Sequence, residues 1–363
     1  MSKLNVAVID QSGLKARGYF YAGGTYKGDP GKRHMVGQMF VEVYVPKVIR
    51  SPYPMILFHG AGQTNVNWLG TPDGRMGWAD YFVNQGYVVY LAEQPARGRS
   101  AYHPQEDGPR TFHPVEALEQ RFTSDHGSWP TAPLHTQWPE NGRAIGTEVF
   151  DQFAASQVEY LPDNALSQKL VLNCAKDLLR KTGPAILLTH SQAGPFGWNI
   201  ADAYPDMVKA IVALEPSGPP FSNDRSCSLA KNYGISELPL HFEPPVQSVS
   251  DFQLTLHHSA TEGECDGWVL NDHEHRLPHL AQIPILILTA EASYHAQYDH
   301  LTSHVLRQLG VEHDFVKLAD VGIHGNGHMM MLEKNNLEIA AYIQGWLSSK
   351  IPDLGEEDSR PGL

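Results

Sequence analysis

The sequence predicts an α/β fold built on a mainly parallel, doubly wound sheet. Three observations point that way. Short continuous apolar runs recur along the chain, as strands buried on both faces require. Segments with helical spacing separate them, as right-handed crossovers require. Residues able to do chemistry stand just after the runs, at the strand ends where open α/β sheets bind ligands.

Taken in order, residues Gly18 to Tyr26 and Met39 to Val45 alternate in polarity and read as half-buried antiparallel strands. Pro54 to Phe58 is apolar throughout, a buried central strand ending in His59-Gly60-Ala61-Gly62. A helix from about Arg75 to Gln85 would bury Trp78, Tyr81 and Phe82. Tyr87 to Leu91 is the next buried strand, leading into Arg97-Gly98-Arg99-Ser100. Residues 101–162 lose any clean period, and a stretch of that length is more often a functional insertion than a passive connection. A helix over Leu166 to Leu179 leads into the strand Ala185 to Leu188, a tight turn at Ser191, and a helix carrying Trp198, Ile200, Ala201 and Tyr204. Ala210 to Leu214 is a buried strand ending at Glu215, and residues 221–282 form a second irregular insertion. Pro284 to Leu288 ends at Glu291; a helix at His295 to Leu309, a strand at Asp314 to Leu318, the loop Ala319 to His328 and a helix at Leu332 to Leu347 follow. Residues 1–363 are thus expected to form one domain, with 101–162 and 221–282 as cap insertions. The acidic tail Pro352 to Leu363 is expected to fray.

Composition narrows the function. With 42% hydrophobic and 18% charged residues, the chain has the make-up of a globular protein with a sizeable core. A formal net charge of −13 argues against nucleic acid or an anionic membrane as partner, since both need a basic face, and favours a small neutral or weakly polar ligand. No run reaches membrane-spanning length, and the apolar run in Met1 to Asp10 is too short for a secretory leader. The cysteines Cys174, Cys227 and Cys265 form no even framework. Cys227 and Cys265 could pair within one insertion, but reduced thiols in a cytoplasmic protein are the expectation. A homodimer is compatible with the sequence.

A serine at a sharp strand-to-helix turn reads as a nucleophile elbow, which exposes Oγ and aims the next amide at a developing oxyanion. The usual pattern is G-x-S-x-G; here Thr189 and Ala193 occupy the glycine positions. A helix N-cap serine is the plain alternative. Serine, carboxylate and histidine nevertheless follow successive strands in the order that a hydrolytic triad uses. A serine hydroxyl needs an imidazole to take its proton, and the imidazole needs a buried carboxylate to fix its tautomer. Ser191 is the candidate nucleophile, with Gln192 N–H and, after His59, Ala61 N–H as oxyanion donors. Glu215 and Glu291 compete for the acid and His324 and His328 for the base; position alone leans to Glu291. His59 reads as a buttress of its turn.

The chain resembles the α/β-hydrolase fold. More narrowly it is similar to a small esterase family whose founding bacterial member carries the triad glutamate after strand six rather than seven. The stretches that carry the resemblance are Thr71-Pro-Asp-Gly-Arg-Met-Gly-Trp78, Gly98-Arg-Ser-Ala101, Thr189-His-Ser-Gln-Ala-Gly194, Glu215-Pro-Ser-Gly218 and His324-Gly-Asn-Gly-His-Met-Met-Met331. The resemblance implies Ser191 as nucleophile, His328 as base, Glu215 as acid, and Ala61 and Gln192 as oxyanion hole. Alanine follows His59-Gly60 where that family carries cysteine, but only the backbone N–H is needed.

The expected function is therefore a cofactor-free serine esterase or lactonase acting through an acyl-enzyme on a small apolar or aromatic ester. Other readings of the same pattern are a C–C bond hydrolase or lyase, and a non-catalytic ligand receptor. Trp129, Trp138 and Phe221 are candidate substrate-binding residues; packing of the insertions would explain them equally well. Arg97 and Arg99 could bind a substrate carboxylate, though loop structure is the stronger reading. The cluster His257, His258, His273, Glu274 and His275 lacks zinc-like spacing and reads as a solvated surface, so no metal is expected.

Overall fold

Eight strands form one sheet in the order β1-β2-β4-β3-β5-β6-β9-β10 in the computed structural model, which describes residues 7–139, 141–222, 226–271 and 274–351. The first two strands, β1 (Leu14–Lys27) and β2 (His34–Pro46), pair antiparallel, and β2 pairs antiparallel with β4 (Val89–Glu93). From β4 onward every neighbour is parallel: β3 (Met55–Phe58), β5 (Ala185–His190), β6 (Val208–Leu214), β9 (Ile285–Thr289) and β10 (Asp314–Lys317). This is the α/β-hydrolase sheet. The expected tail from Pro352 and the expected surface histidine His273 lie outside the described residues.

The apolar runs are explained by what covers them. Successive strand residues point to opposite faces, and here both faces are dry. Ile56, Phe58 and Leu187 pack under the helices Asn164–Thr182, Gly194–Ala203 and Asp299–Gln308; Met55, Leu57 and Leu188 pack against the helices Trp78–Asn84 and Asn336–Lys350. Asp163 caps the helix Asn164–Thr182 by accepting the Leu166 amide at 3.0 Å.

The two insertions part company. Residues 101–162 cross the carboxyl ends of the strands: Thr136 and Gln137 both donate to the Gly325 carbonyl, and the Trp129 indole donates to the Ala292 carbonyl at 2.9 Å. Residues 221–282 pack instead beside the elbow helix, where Phe221, Phe242 and Phe252 interlock and Ser236 bonds both Asn199 and Gln168. A short antiparallel hairpin, β7 (Leu254–His257) with β8 (Gly267–Leu270), belongs to this second insertion. The phenylalanines of that insertion bury themselves against the core, and its Cys265 amide reaches the Gln297 carbonyl at 2.8 Å.

Candidate active site

Ser191 follows β5 directly, with φ of 56°, in the left-handed region that costs a non-glycine residue strain. Such a turn is the nucleophile-elbow geometry. Thr189 is tolerated at a usual glycine position because Gly197 faces it from the elbow helix. A Cβ on Gly197 would stand 3.4 Å from the threonine methyl. Gly194 is needed for a different reason: a Cβ there would collide with Pro216, so the elbow helix could not reach the Glu215 segment. The Ser217 amide closes this junction by donating to the Ser191 carbonyl at 2.9 Å.

Glu215 follows β6 directly and is fully buried. Its Oε1 accepts the Ala290 amide at 2.8 Å; its Oε2 accepts the Ser293 hydroxyl at 2.7 Å and the His328 Nδ1–H. Burial pushes the carboxyl up and the neighbouring Asp299 charge adds to it, while the donors pull it back. Three donors on two oxygens fit an ionised carboxylate. Burial holds the His328 imidazole well below its ordinary value, with the nearby His190, His295 and Arg121 acting in the same direction. The ring therefore rests neutral, Nδ1–H on Glu215 and Nε2 left as a proton acceptor.

The competing residues are elsewhere. Glu291 accepts from the Gly325 amide at 2.8 Å and pairs with Nδ1 of the exposed His324 at 3.1 Å. His328 is held in a box of rings: His295 stacks on it at 4.7 Å and 12°, Phe122 at 5.5 Å and 19°, with Tyr294 at 4.9 Å and His190 at 4.5 Å. His190 also holds the His328 carbonyl at 3.1 Å.

Ala61 and Ser191 line the same cavity, and among the described residues neither the Ala61 nor the Gln192 amide goes to a main-chain carbonyl outside its own turn. Arg97 braces this region. Its buried guanidinium donates to the carbonyls of Gly60 (3.3 Å) and Gln63 (3.1 Å) and to the side-chain oxygens of Gln94 and Gln192, both at 3.4 Å. Arg97 thus ties the two loops that carry the candidate oxyanion donors. Arg99 lies outside the site, paired with Glu42 and Glu93 at 2.9 Å each. His59 is buried behind the turn, its Nδ1 3.0 Å from the Gly60 carbonyl, and burial pushes it down to about 3.

Two cavities meet at Ser191. One, of about 390 Å³, is walled by Trp129, Ser217, Pro219, Tyr294, Gln297 and Tyr298 among others; a smaller one, of about 70 Å³, runs past Ala61, Phe122 and His328. A larger hollow of about 550 Å³ near Asn67 and Gln152 holds none of the candidate residues.

Of the substrate-binding candidates, Trp129 lines the cavity and the other two do not. Trp138 is fully buried against Phe153, its indole donating to the Gly142 carbonyl at 2.8 Å. Phe221 is fully buried against Phe252. Both pack the insertions onto the core, which is the correction to their expected role. Three residues at the site carry no motif: Tyr294, which with Ser191 lines both cavities; Arg121; and His295, whose Nδ1 is 2.9 Å from Asp299. Among the described residues, Glu215, His295 and His328 are the one group of potential ligands close enough to share a metal ion. Nδ1 of His328 is already engaged with Glu215, the bond a general base needs and a metal would have to break.

The fold and the serine turn define a protein of the α/β-hydrolase class. The structure is similar to that of a bacterial esterase solved at atomic resolution, with a TM-score of 0.64 and 24% identity over 96% of this chain and 99% of that one. In sequence the chain is 41% identical over 342 residues to the probable secreted lipase phiG of a fungal species (strain ATCC 74256), covering 93% of this chain and 91% of that protein. The chain belongs to the family of α/β-hydrolase lipases and esterases that this relative represents. No family model matches it.

The relative also overturns the cytoplasmic expectation. That relative is named as secreted, and a low cysteine count does not mark a protein as cytoplasmic, because an oxidising compartment permits disulfides without demanding them. Among the described residues, no helix is long and apolar enough to cross a membrane.

Proposed function

We propose that the protein is a serine hydrolase that cleaves a carboxylic ester or lactone through an acyl-enzyme. Ser191 Oγ attacks the carbonyl carbon while His328 Nε2 takes its proton. Glu215 holds the imidazole by Nδ1 and balances the positive charge that forms on it. The carbonyl oxygen, now an anion, accepts the amides of Ala61 and Gln192. The tetrahedral centre then expels the alcohol, which leaves with the proton from His328, and the acyl group stays on Ser191. Water enters, gives a proton to the same imidazole, attacks the acyl carbon and releases the acid and free Ser191.

The observation that carries this reading is the buried Glu215–His328 bond in the wall of a cavity that Ser191 enters from a strained turn. The lipase name of the 41% identical relative supports the same chemistry. Activity toward ester and lactone panels, compared between wild type and Ser191→Ala, tests it. Loss of several orders of magnitude in kcat with the fold retained is expected; wild-type turnover by the variant would reject the assignment.

A further inference from the structure

Arg121 is the residue at this site that ester hydrolysis itself does not use. It lies in the π-helical turn Glu119–Thr123 of the first insertion, and π-turns of this kind recur at functional sites because they re-aim side chains. The next residue, Phe122, is laid on His328, and the Arg121 guanidinium stands over the Tyr294 ring at 5.4 Å and the Phe122 ring at 5.9 Å. Among the described residues only Arg121, Ser191 and Tyr294 line both cavities, so Arg121 stands where the two spaces meet beside the candidate nucleophile.

Among the described residues its charge has no counter-ion there. Among the described residues Arg121 makes no salt bridge or hydrogen bond, and its contacts are the aromatic faces of Tyr294 and Phe122. Among the described residues no aspartate or glutamate lines either cavity; the larger one is lined by the polar side chains of Gln120, Ser128, Ser217, Gln297 and Tyr298. Arg97 at the site is committed to backbone carbonyls, and Arg99, outside it, to Glu42 and Glu93. In a chain of net charge −13, an arginine kept free of carboxylates at the mouth of the site is a local exception to the global field. The same charge reaches inward, lowering His328 and His113.

We propose that the ester this site accepts carries a carboxylate, as in a half-ester of a dicarboxylic acid or an ester of a hydroxy acid, and that Arg121 binds it. The planar fork of a guanidinium suits a carboxylate bidentately, and this exposed one lies within cation–π range of both flanking rings. Arg121 is in this account a specificity residue and takes no part in proton transfer. The proposal rests on the ester-hydrolase reading above.

The test uses the full chain and two matched ester pairs followed by proton release. Monoethyl adipate against ethyl hexanoate places the carboxylate on the acyl side; the acetate ester of γ-hydroxybutyrate against butyl acetate places it on the alcohol side. In wild type, kcat/KM for the charged member should exceed that of its neutral partner by about tenfold or more in at least one pair. Arg121→Gln should lower that ratio by about 10- to 100-fold, Arg121→Lys by less, and Arg121→Glu should invert it. Added salt should shrink the wild-type ratio, since the pair is partly exposed. A ratio equal in wild type and Arg121→Gln, or preference for the neutral member in both pairs, overturns the proposal while Ser191-dependent turnover of the neutral esters leaves the hydrolase reading standing. No turnover of any ester by the folded wild type would overturn both.

Discussion

Glu215 and His328, 113 residues apart in the chain, share a hydrogen bond in a space that exposes 0% and 2% of their side chains. The glutamate after the sixth strand of the main sheet reaches the imidazole, and Glu291 after the seventh is occupied with His324 and Gly325. Either strand end lies at the right edge of the sheet, so the choice is made by side-chain geometry. Glu215 is fixed by three donors, whereas Glu291 sits partly exposed beside a solvated ring.

Glu215→Gln should therefore lower kcat by orders of magnitude, because an amide cannot balance the imidazolium and can hold the wrong tautomer. Glu291→Gln should cost about tenfold or less. Steady-state kinetics on one ester decides between them.

The pH dependence follows from burial. The His328 ring is held below its ordinary range, so as the proposed base it would stay neutral in mildly acidic solution. The acid limb of kcat/KM should lie below the midpoint of a free imidazole, and Arg121→Gln should move it upward. Stability carries the matching sign. His59 and His190 are both pushed from 6.5 down to about 3, with burial the main cause. Between those limits the unfolded chain binds protons on these rings and the folded chain does not. Stability is thus complete above about pH 6.5 and falls as pH drops, by up to about 1.4 kcal/mol per pH unit for each ring. Glu215, pushed upward, offsets part of this. Denaturant melts between pH 7 and pH 4 measure the slope.

Arg97 holds both loops that carry the proposed oxyanion donors, and burial drives its guanidinium down to about 9. Arg97→Lys cannot reach the Gly60, Gln63 and Gln192 oxygens together. It should reduce kcat about 10- to 100-fold with little change in KM, since the lost alignment is felt in the transition state. A fall in KM-linked binding alone would point to a substrate contact instead.

Trp129 and Trp138 should separate cleanly. Trp129→Ala opens the larger cavity and should change preference among esters of different size. Trp138→Ala leaves a void against Phe153 and should cost about 3–5 kcal/mol of stability with selectivity unchanged. Chemical denaturation beside a substrate panel checks both.

The parallel strands were legible because burial on two faces leaves an uninterrupted apolar run, as at Ile285–Thr289. Residues at strand ends were legible for a related reason: topology fixes where Ser191 and Glu215 must emerge. The β7–β8 hairpin was not, since four-residue strands such as Leu254–His257, only partly buried, carry too little pattern. Tyr294, His295 and Arg121 were not legible either. Each owes its place to the crossing of the first insertion over the seventh strand's loop, and no local spacing records that contact. Trp138 and Phe221 were misplaced because a large aromatic in an insertion looks the same whether it faces a cavity or the core.

The most direct test of the central claim is covalent labelling by a fluorophosphonate, read by peptide mass spectrometry on wild type, Ser191→Ala and His328→Ala. The account predicts one phosphonylated residue, Ser191, in wild type, no adduct in Ser191→Ala, and labelling slowed by orders of magnitude in His328→Ala. An adduct on another residue, or a wild-type Ser191 no more reactive than an ordinary surface serine, would contradict it.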